Sequence, residues 1–145
     1  MLISQILKDK PIRDVLRIAP GATVGEAAAL LSQRKIGGLI VCEEAAATPE
    51  GIVTERDIVR ELGTCGPVCL VEKVETIMTR DPVSCAPSDR AIQVLRVMTE
   101  KRFRHMPVLD EGRMVGLVSI GDVVKARLDE LGTQAEALKN MIMGY

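Results

Sequence analysis

One structural unit occurs twice in this chain. Pro20 matches Pro87 at an offset of 67, and at that spacing Val24 pairs with Ala91, Ala28 with Leu95, Leu31 with Met98, Ile36 with Phe103 and Val41 with Val108. A loop two residues longer in the first copy then changes the offset to 65. From there Gly51 matches Gly116, Val53 matches Val118, Thr54 matches Ser119 and Asp57 matches Asp122. The two copies fill most of the 145 residues. Such a duplication constrains the fold strongly, because units of one kind bury their apolar faces by packing on each other.

Each copy reads as strand, helix, strand, strand, helix. In the first, Val15 to Ile18 is extended, and Thr23 is expected to cap a helix from Val24 to Arg34, with Glu26 at capping-box spacing. Val24, Ala27, Ala28 and Leu31 recur at helical spacing, so one face goes to a core. Gly37-Gly38 is expected to break that helix. Leu39 to Cys42 then reads as a buried strand, Glu43 to Glu50 as a loop, Gly51 to Thr54 as a strand and Glu55 to Leu62 as a helix.

In the second copy Val83 to Cys85 is the expected opening strand. Ser88 or Asp89 caps a helix over Arg90 to Lys101, with Ile92, Leu95 and Met98 on one side. Met106 to Leu109 and Met114 to Ser119 read as strands around the turn Asp110-Glu111-Gly112, and Ile120 to Leu131 as the closing helix. Gly63 to Val74 reads as a linker. Leu128, Leu131, Leu138, Met141 and Ile142 mark a C-terminal helix whose apolar stripe packs on its own domain or on a partner subunit. The expected division is an N-terminal helical segment (1–10), a first repeat with linker (11–72), a second repeat (73–131) and a helical tail (132–145).

Composition narrows the function classes. With 19 Lys and Arg against 20 Asp and Glu, the formal net charge is −1, and no basic run supplies the positive footprint of a dedicated nucleic-acid binder. Aromatic content of 1% leaves no stacking platform for single strands. At 47% hydrophobic the chain can bury a core, built of Ala, Val, Leu, Ile and Met because Phe103 and Tyr145 are its only aromatics. Apolar runs such as Leu39-Ile40-Val41 are far shorter than the roughly 20 residues a membrane helix needs. Met1 to Lys10 lacks a signal-peptide layout, so a soluble cytoplasmic protein is expected. Cys42, Cys65, Cys69 and Cys85 form no C-x-x-C pair, and with one His there is no zinc set. Reduced thiols are the expectation, with a disulfide or redox role for Cys65 and Cys69 a distant alternative.

The chemistry concentrates where each copy passes from strand to helix. Thr54-Glu55-Arg56-Asp57 and Ser119-Ile120-Gly121-Asp122 each place a carboxylate three residues after a hydroxyl. By itself this is close to a capping box. The same group also suits a nucleotide: helix N–H groups meet phosphate, the carboxylate accepts from two vicinal ribose hydroxyls, and the hydroxyl bonds sugar or phosphate. Arg104 and His105, at the helix-to-strand passage of the second copy, could meet phosphate charge, or be a solvated surface Arg and a neutral strand-edge His. Ser119 and His105 have no third group to orient them as nucleophile and base, so no catalytic set is read.

The runs Gly51-Ile52-Val53-Thr54-Glu55-Arg56-Asp57, Ile77-Met78-Thr79-Arg80-Asp81 and Arg104-His105-Met106-Pro107-Val108-Leu109-Asp110, followed by Val115-Gly116-Leu117-Val118-Ser119 and Asp122-Val123-Val124, resemble the CBS domain family from Pro11 to Leu131. The resemblance implies an α/β (α+β) fold. In it two tandem β-α-β-β-α repeats pack around a pseudo-two-fold axis, forming a CBS pair or Bateman module with short terminal helices. It implies two clefts that bind adenosine compounds: AMP, ADP or ATP, and in some members NAD or S-adenosylmethionine. Asp57 and Asp122 would each hold the ribose of one cleft, assisted by Thr54 and Ser119. Thr79 and Ser84 would join Asp57, and Arg17 would face the site of Asp122, either donating to phosphate or blocking the pocket. Ile36, Gly38, Phe103 and Met106 would hold the adenine, and Arg104 and His105 the phosphates. The first copy has Gly38-Leu39-Ile40 where the second has His105-Met106-Pro107, so the clefts are expected to differ.

The expected function is therefore a stand-alone, non-enzymatic regulatory module. It would bind an adenine nucleotide, need no metal or other cofactor, and report energy or cofactor status to a partner protein. With the repeats and tails filling the 145 residues, no catalytic domain is expected. A structural dimerisation module with vestigial clefts is the alternative; a homodimer is expected on either reading.

Overall fold

The computed structural model describes residues 1–10, 15–43 and 48–143. Pro11, where the first repeat was expected to start, the middle of the loop Glu43 to Glu50, and Tyr145 lie outside these. The elements run α1 (Ile3–Leu7), β1 (Arg17–Ile18), α2 (Val24–Arg34), β2 (Gly38–Val41), β3 (Gly51–Thr54), α3 (Glu55–Cys65), β4 (Thr79–Arg80), α4 (Ala91–Lys101), β5 (His105–Asp110), β6 (Arg113–Ser119) and α5 (Ile120–Met143). One sheet has the order β1-β2-β3-β4, with β1 parallel to β2 and the other pairs antiparallel; β5 and β6 form an antiparallel hairpin.

Among the described residues three apolar clusters hold the molecule together. Leu39, Val41 and Val53 pack with Val24, Ala27 and Leu31 of α2 and Ile58 of α3. Val108, Val118 and Met106 pack with Val94 and Met98 of α4 and Val123 and Ala126 of α5. The third core joins the sheets, with Ile40, Cys42 and Ile52 against Met114 and Leu117. β2 is therefore covered on both faces, which is why it reads as an unbroken apolar run rather than an alternating one. A bulge between Val108 and Leu109 re-phases the pleat, so that Met114 and Leu117, three residues apart, both face the first sheet.

The repeat is visible in details that propensity does not specify. α2 ends on Lys35 (φ 54°) and α4 on its counterpart Arg102 (φ 59°), each in the left-handed region. Ile36 N–H donates to Leu31 O and Phe103 N–H to Met98 O, closing both ends alike. The stop thus precedes the expected Gly37-Gly38. The expected strand Val83 to Cys85 shrinks to one parallel bridge, Cys85 with Val108. In the first copy Ile40 N–H donates to Leu16 O; its counterpart is Pro107, which has no N–H for the Val83 carbonyl.

Three further expectations change. α4 begins after Arg90, since the Asp89 carboxylate accepts the Ala86 N–H instead. Gly63 to Val74 is no loose linker: α3 runs on to Cys65, Gly66–Val71 and Val74–Thr76 are 3-10 turns, and Cys69 and Val74 are buried. The closing helix and the tail are one continuous α5 of 24 residues, passing Gly132 without a break. α1 packs onto the second repeat, with Ile3 wholly buried in that core and Ile3 N–H donating to Asp89 O.

Candidate functional site

Two clefts lie where the repeats face each other, at strand-to-helix passages that the duplication makes equivalent. Glu55 N–H donates to Gly37 O at 3.1 Å, and Ile120 N–H donates to Arg104 O at 2.8 Å. These matching bonds bring the end of the antiparallel hairpin β2–β3, and likewise of β5–β6, against the start of its helix.

The first cleft, of about 300 Å³, is lined by Thr54, Glu55, Arg56, Asp57 and Arg60 from the first repeat and by Lys101, Arg102, Phe103, Arg104 and His105 from the second, with Thr79 and the apolar Ile52, Pro82 and Val83. Asp57 is only 6% exposed, yet its carboxylate lines this cleft. Its Oδ2 accepts the Thr54 N–H (2.9 Å) and hydroxyl (3.0 Å), while Asp57 N–H donates to Thr54 Oγ1 (3.3 Å). This is the expected capping box, and it uses one carboxylate oxygen. Oδ1 meets only the exposed Arg60 guanidinium at 3.4 Å, so it retains acceptor capacity toward the cleft. Capping and ligand binding are thus compatible duties. Five cationic side chains against two carboxylates make the cleft a strong anion attractor.

The second hollow, of about 380 Å³, is lined by Ile36, Gly37, Gly38, Val15, Leu16 and Leu117, with Ser119, His105 and Lys10 as its polar members. At the positions equivalent to Arg104 and Arg56 stand Gly37 and Gly121. Ser119 N–H donates to Asp122 Oδ2 (2.8 Å) and Asp122 N–H to Ser119 Oγ (3.1 Å), again a capping box. The Lys10 ammonium pairs directly with the same Oδ2. Burial pushes the Asp122 carboxyl up, but the Lys10 hydrogen bond and charge and the Ser119 donors outweigh this and hold it below the usual carboxylate value.

His105 stands between the two, lining both clefts. Its counterpart in the first repeat is Gly38, and a Cβ on Gly37 or Gly38 would come within 3.2 Å of the imidazole. The ring fills space that side chains on the facing repeat would need. Its Nδ1 is buried without a hydrogen-bond partner among the described residues. Burial and the Lys10 and Arg104 charges depress its pKa, opposed by Glu55 and Asp122.

Sequence reasoning joins Thr54, Thr79 and Ser84 to Asp57, and Ser119 and Arg17 to Asp122, without dividing the adenine and phosphate residues between the clefts. The structure gathers Asp57, Thr54, Thr79, Phe103, Arg104 and His105 in the first cleft and Ser119, Ile36, Gly38 and again His105 around the second. Four residues stand elsewhere, Asp122 among them, since Lys10 and not Asp122 lines the second hollow. Met106 is buried in the second repeat's core and faces neither cleft. Ser84 lines a separate shallow hollow with Thr48, Pro49 and Pro107, because the strand that was to carry it is reduced to Cys85. Arg17 turns to the Glu43 carbonyl (3.3 Å) and lines neither cleft. Sequence reasoning missed Arg56, Arg60, Lys101 and Arg102, although Arg56 and Arg60 have the four-residue spacing of one helix face. It also missed Lys10, whose partner lies 112 residues away. Among the described residues no cluster of His, Cys, Asp and Glu could hold a metal, and no helix is long and apolar enough to cross a membrane.

The sequence model of the CBS domain matches residues 3–64 and 74–129. A mitochondrial CBS domain-containing protein of Arabidopsis thaliana is 34% identical over 125 residues, covering 84% of this chain and 61% of that protein. A crystal structure of a CBS-domain protein from Agrobacterium tumefaciens superposes with a TM-score of 0.82 at 38% identity, covering 88% of this chain and 99% of the other. CBSX2, solved in complex with AMP, superposes with a TM-score of 0.73 at 26% identity over 88% of this chain and 96% of its own.

Proposed function

Because the chain belongs to the CBS-domain family, as two CBS domains in tandem, we propose that it is a non-enzymatic regulatory module that binds an adenine nucleotide in the Asp57 cleft and reports it to a partner protein. The observation that carries this reading is the union, in one cleft, of a half-used buried carboxylate, two hydroxyls and five cationic side chains. Asp57 Oδ1 accepts from the ribose hydroxyls, with Thr54 and Thr79 beside it. Phe103, Ile52 and Val83 offer the apolar surface an adenine needs, and Arg56, Arg60 and Arg104 meet the phosphates. AMP bound to a similar CBS pair supports the ligand class. Reporting requires that the nucleotide bind one conformation better than another, since equal affinity shifts nothing. Four thiols without disulfides fit a place in the cytoplasm.

Titration calorimetry of ligand-stripped protein with AMP, ADP, ATP, NAD and S-adenosylmethionine tests this. Binding that is lost in Asp57→Ala is the expected result. A folded protein that takes up none of these compounds favours the second reading, a dimerisation scaffold with vestigial clefts. The exposed apolar stripe of α5 speaks for self-association on either reading.

A further inference from the structure

The two capping carboxylates, equivalent by duplication, are presented differently. Asp57 itself lines its cleft, whereas at the second hollow the lining residue is Lys10, whose ammonium sits on Asp122. Lys10 follows α1, which Ile3 anchors in the core of the second repeat, so the lysine is delivered by a fixed support rather than a free arm. The pair is sheltered, with Asp122 25% and Lys10 38% exposed at the side chain. Apart from Ser119 and His105 the described lining of the hollow is apolar, and among the described residues Lys10 is its only Lys or Arg. A ribose approaching Asp122 must therefore displace an ammonium already bonded to the carboxylate.

We infer that Lys10 is a built-in competitor for Asp122, latching the second cleft so that the chain takes one nucleotide, at Asp57, and opens the second site only when Lys10 is displaced. The inference rests on the nucleotide-binding reading. It adds a stoichiometry and names the residue that sets it.

Calorimetric titration of the full chain with AMP, and in parallel with uncharged adenosine, tests both. The wild type is expected to take one equivalent, lost in Asp57→Ala and kept in Asp122→Ala. Lys10→Met keeps the aliphatic stem and removes the charge, and is expected to take a second equivalent, with affinity there raised at least about tenfold. That second equivalent should vanish in Lys10→Met/Asp122→Ala. Wild type in about 1 M salt, where ion pairs are screened, should likewise admit a second adenosine, a check that needs no variant to fold. Two equivalents in wild type, or one in Lys10→Met at both salt levels, overturn the latch while leaving nucleotide binding intact. Weaker binding in Lys10→Met makes Lys10 a ligand contact and also overturns it. Silence in wild type with Asp122-dependent binding in Lys10→Met supports the latch and refutes the Asp57 assignment. No binding in either protein under any condition overturns both.

Discussion

At the scale of single residues the site depends on a carboxylate with two duties. Asp57 closes the N-terminus of α3 through Thr54 and leaves one oxygen for a ligand. Asp57→Ala should therefore lower nucleotide affinity at least about tenfold and cost about 1 kcal/mol of stability through the lost box. Asp57→Asn keeps an oxygen for the Thr54 N–H, so it should lose affinity while unfolding near the wild-type midpoint. Calorimetry and thermal unfolding on the two variants separate the duties. His105 gives a second test, because it is the only histidine in the chain and its ring proton signal titrates alone. Its pKa is depressed in the folded state, by burial first and then by Lys10. Above about pH 6.5, the ordinary value, both states are neutral and the contribution is complete. As pH falls from there through the folded pKa, the unfolded chain takes up the proton first and stability is lost. Denaturation midpoints should drop over that window in the wild type and stay flatter in His105→Asn. An imidazole titrating at or above 6.5 would refute the assignment.

At the scale of elements, the duplication ties distant segments together. α1 belongs by packing to the second repeat: Ile3 is wholly buried there, and a Cβ on Gly116 would strike Leu7 of α1 at 2.6 Å. Ile3→Ala should cost about 2–4 kcal/mol, read from the denaturant midpoint, as for other large-to-small core changes. A change under about 0.5 kcal/mol, ordinary for a surface position, would show α1 to be undocked. The helices α2, α3 and α4 were legible because amphipathic spacing and the Thr23–Glu26 and Thr54–Asp57 boxes are local signals. The ends of α2 at Arg34 and of α4 at Lys101 were legible too, but not the means of stopping, since Lys35 and Arg102 adopt left-handed backbone without the glycine that announces it. The loss of the second opening strand depends on Pro107 across the ladder, and the Lys10–Asp122 contact on a docking event 112 residues long; neither is a local pattern. The Asp57 half of the site could be read because its residues lie in three short runs. Its cations escaped because scattered Arg and Lys look like ordinary solvated surface until the fold converges them.

At the scale of the whole molecule, α5 poses the remaining question. Its first turns are fixed by Val123 and Ala126 in the second repeat's core, but Val124, Leu128, Leu131, Ala135, Leu138 and Ile142 all stay exposed. Their spacing alternates four and three residues, the period of a coiled-coil seam rather than of a helix resting on a globular core. Leu138 is 58% and Ile142 77% exposed, a large apolar surface to leave in water along one line. A second copy of α5 supplies the same stripe, and a two-fold pairing would bury both at once. The proposed dimer therefore uses the part of α5 that the clefts do not. Leu138→Asp puts a charge in the middle of that seam and should convert the assembly to monomer, measured by light scattering across a concentration series. Nucleotide affinity at Asp57 should be unchanged, because none of the described residues lining that cleft belongs to α5. An unaltered mass would mean that the stripe plays no part in assembly, and loss of nucleotide binding together with the dimer would mean that the clefts depend on it.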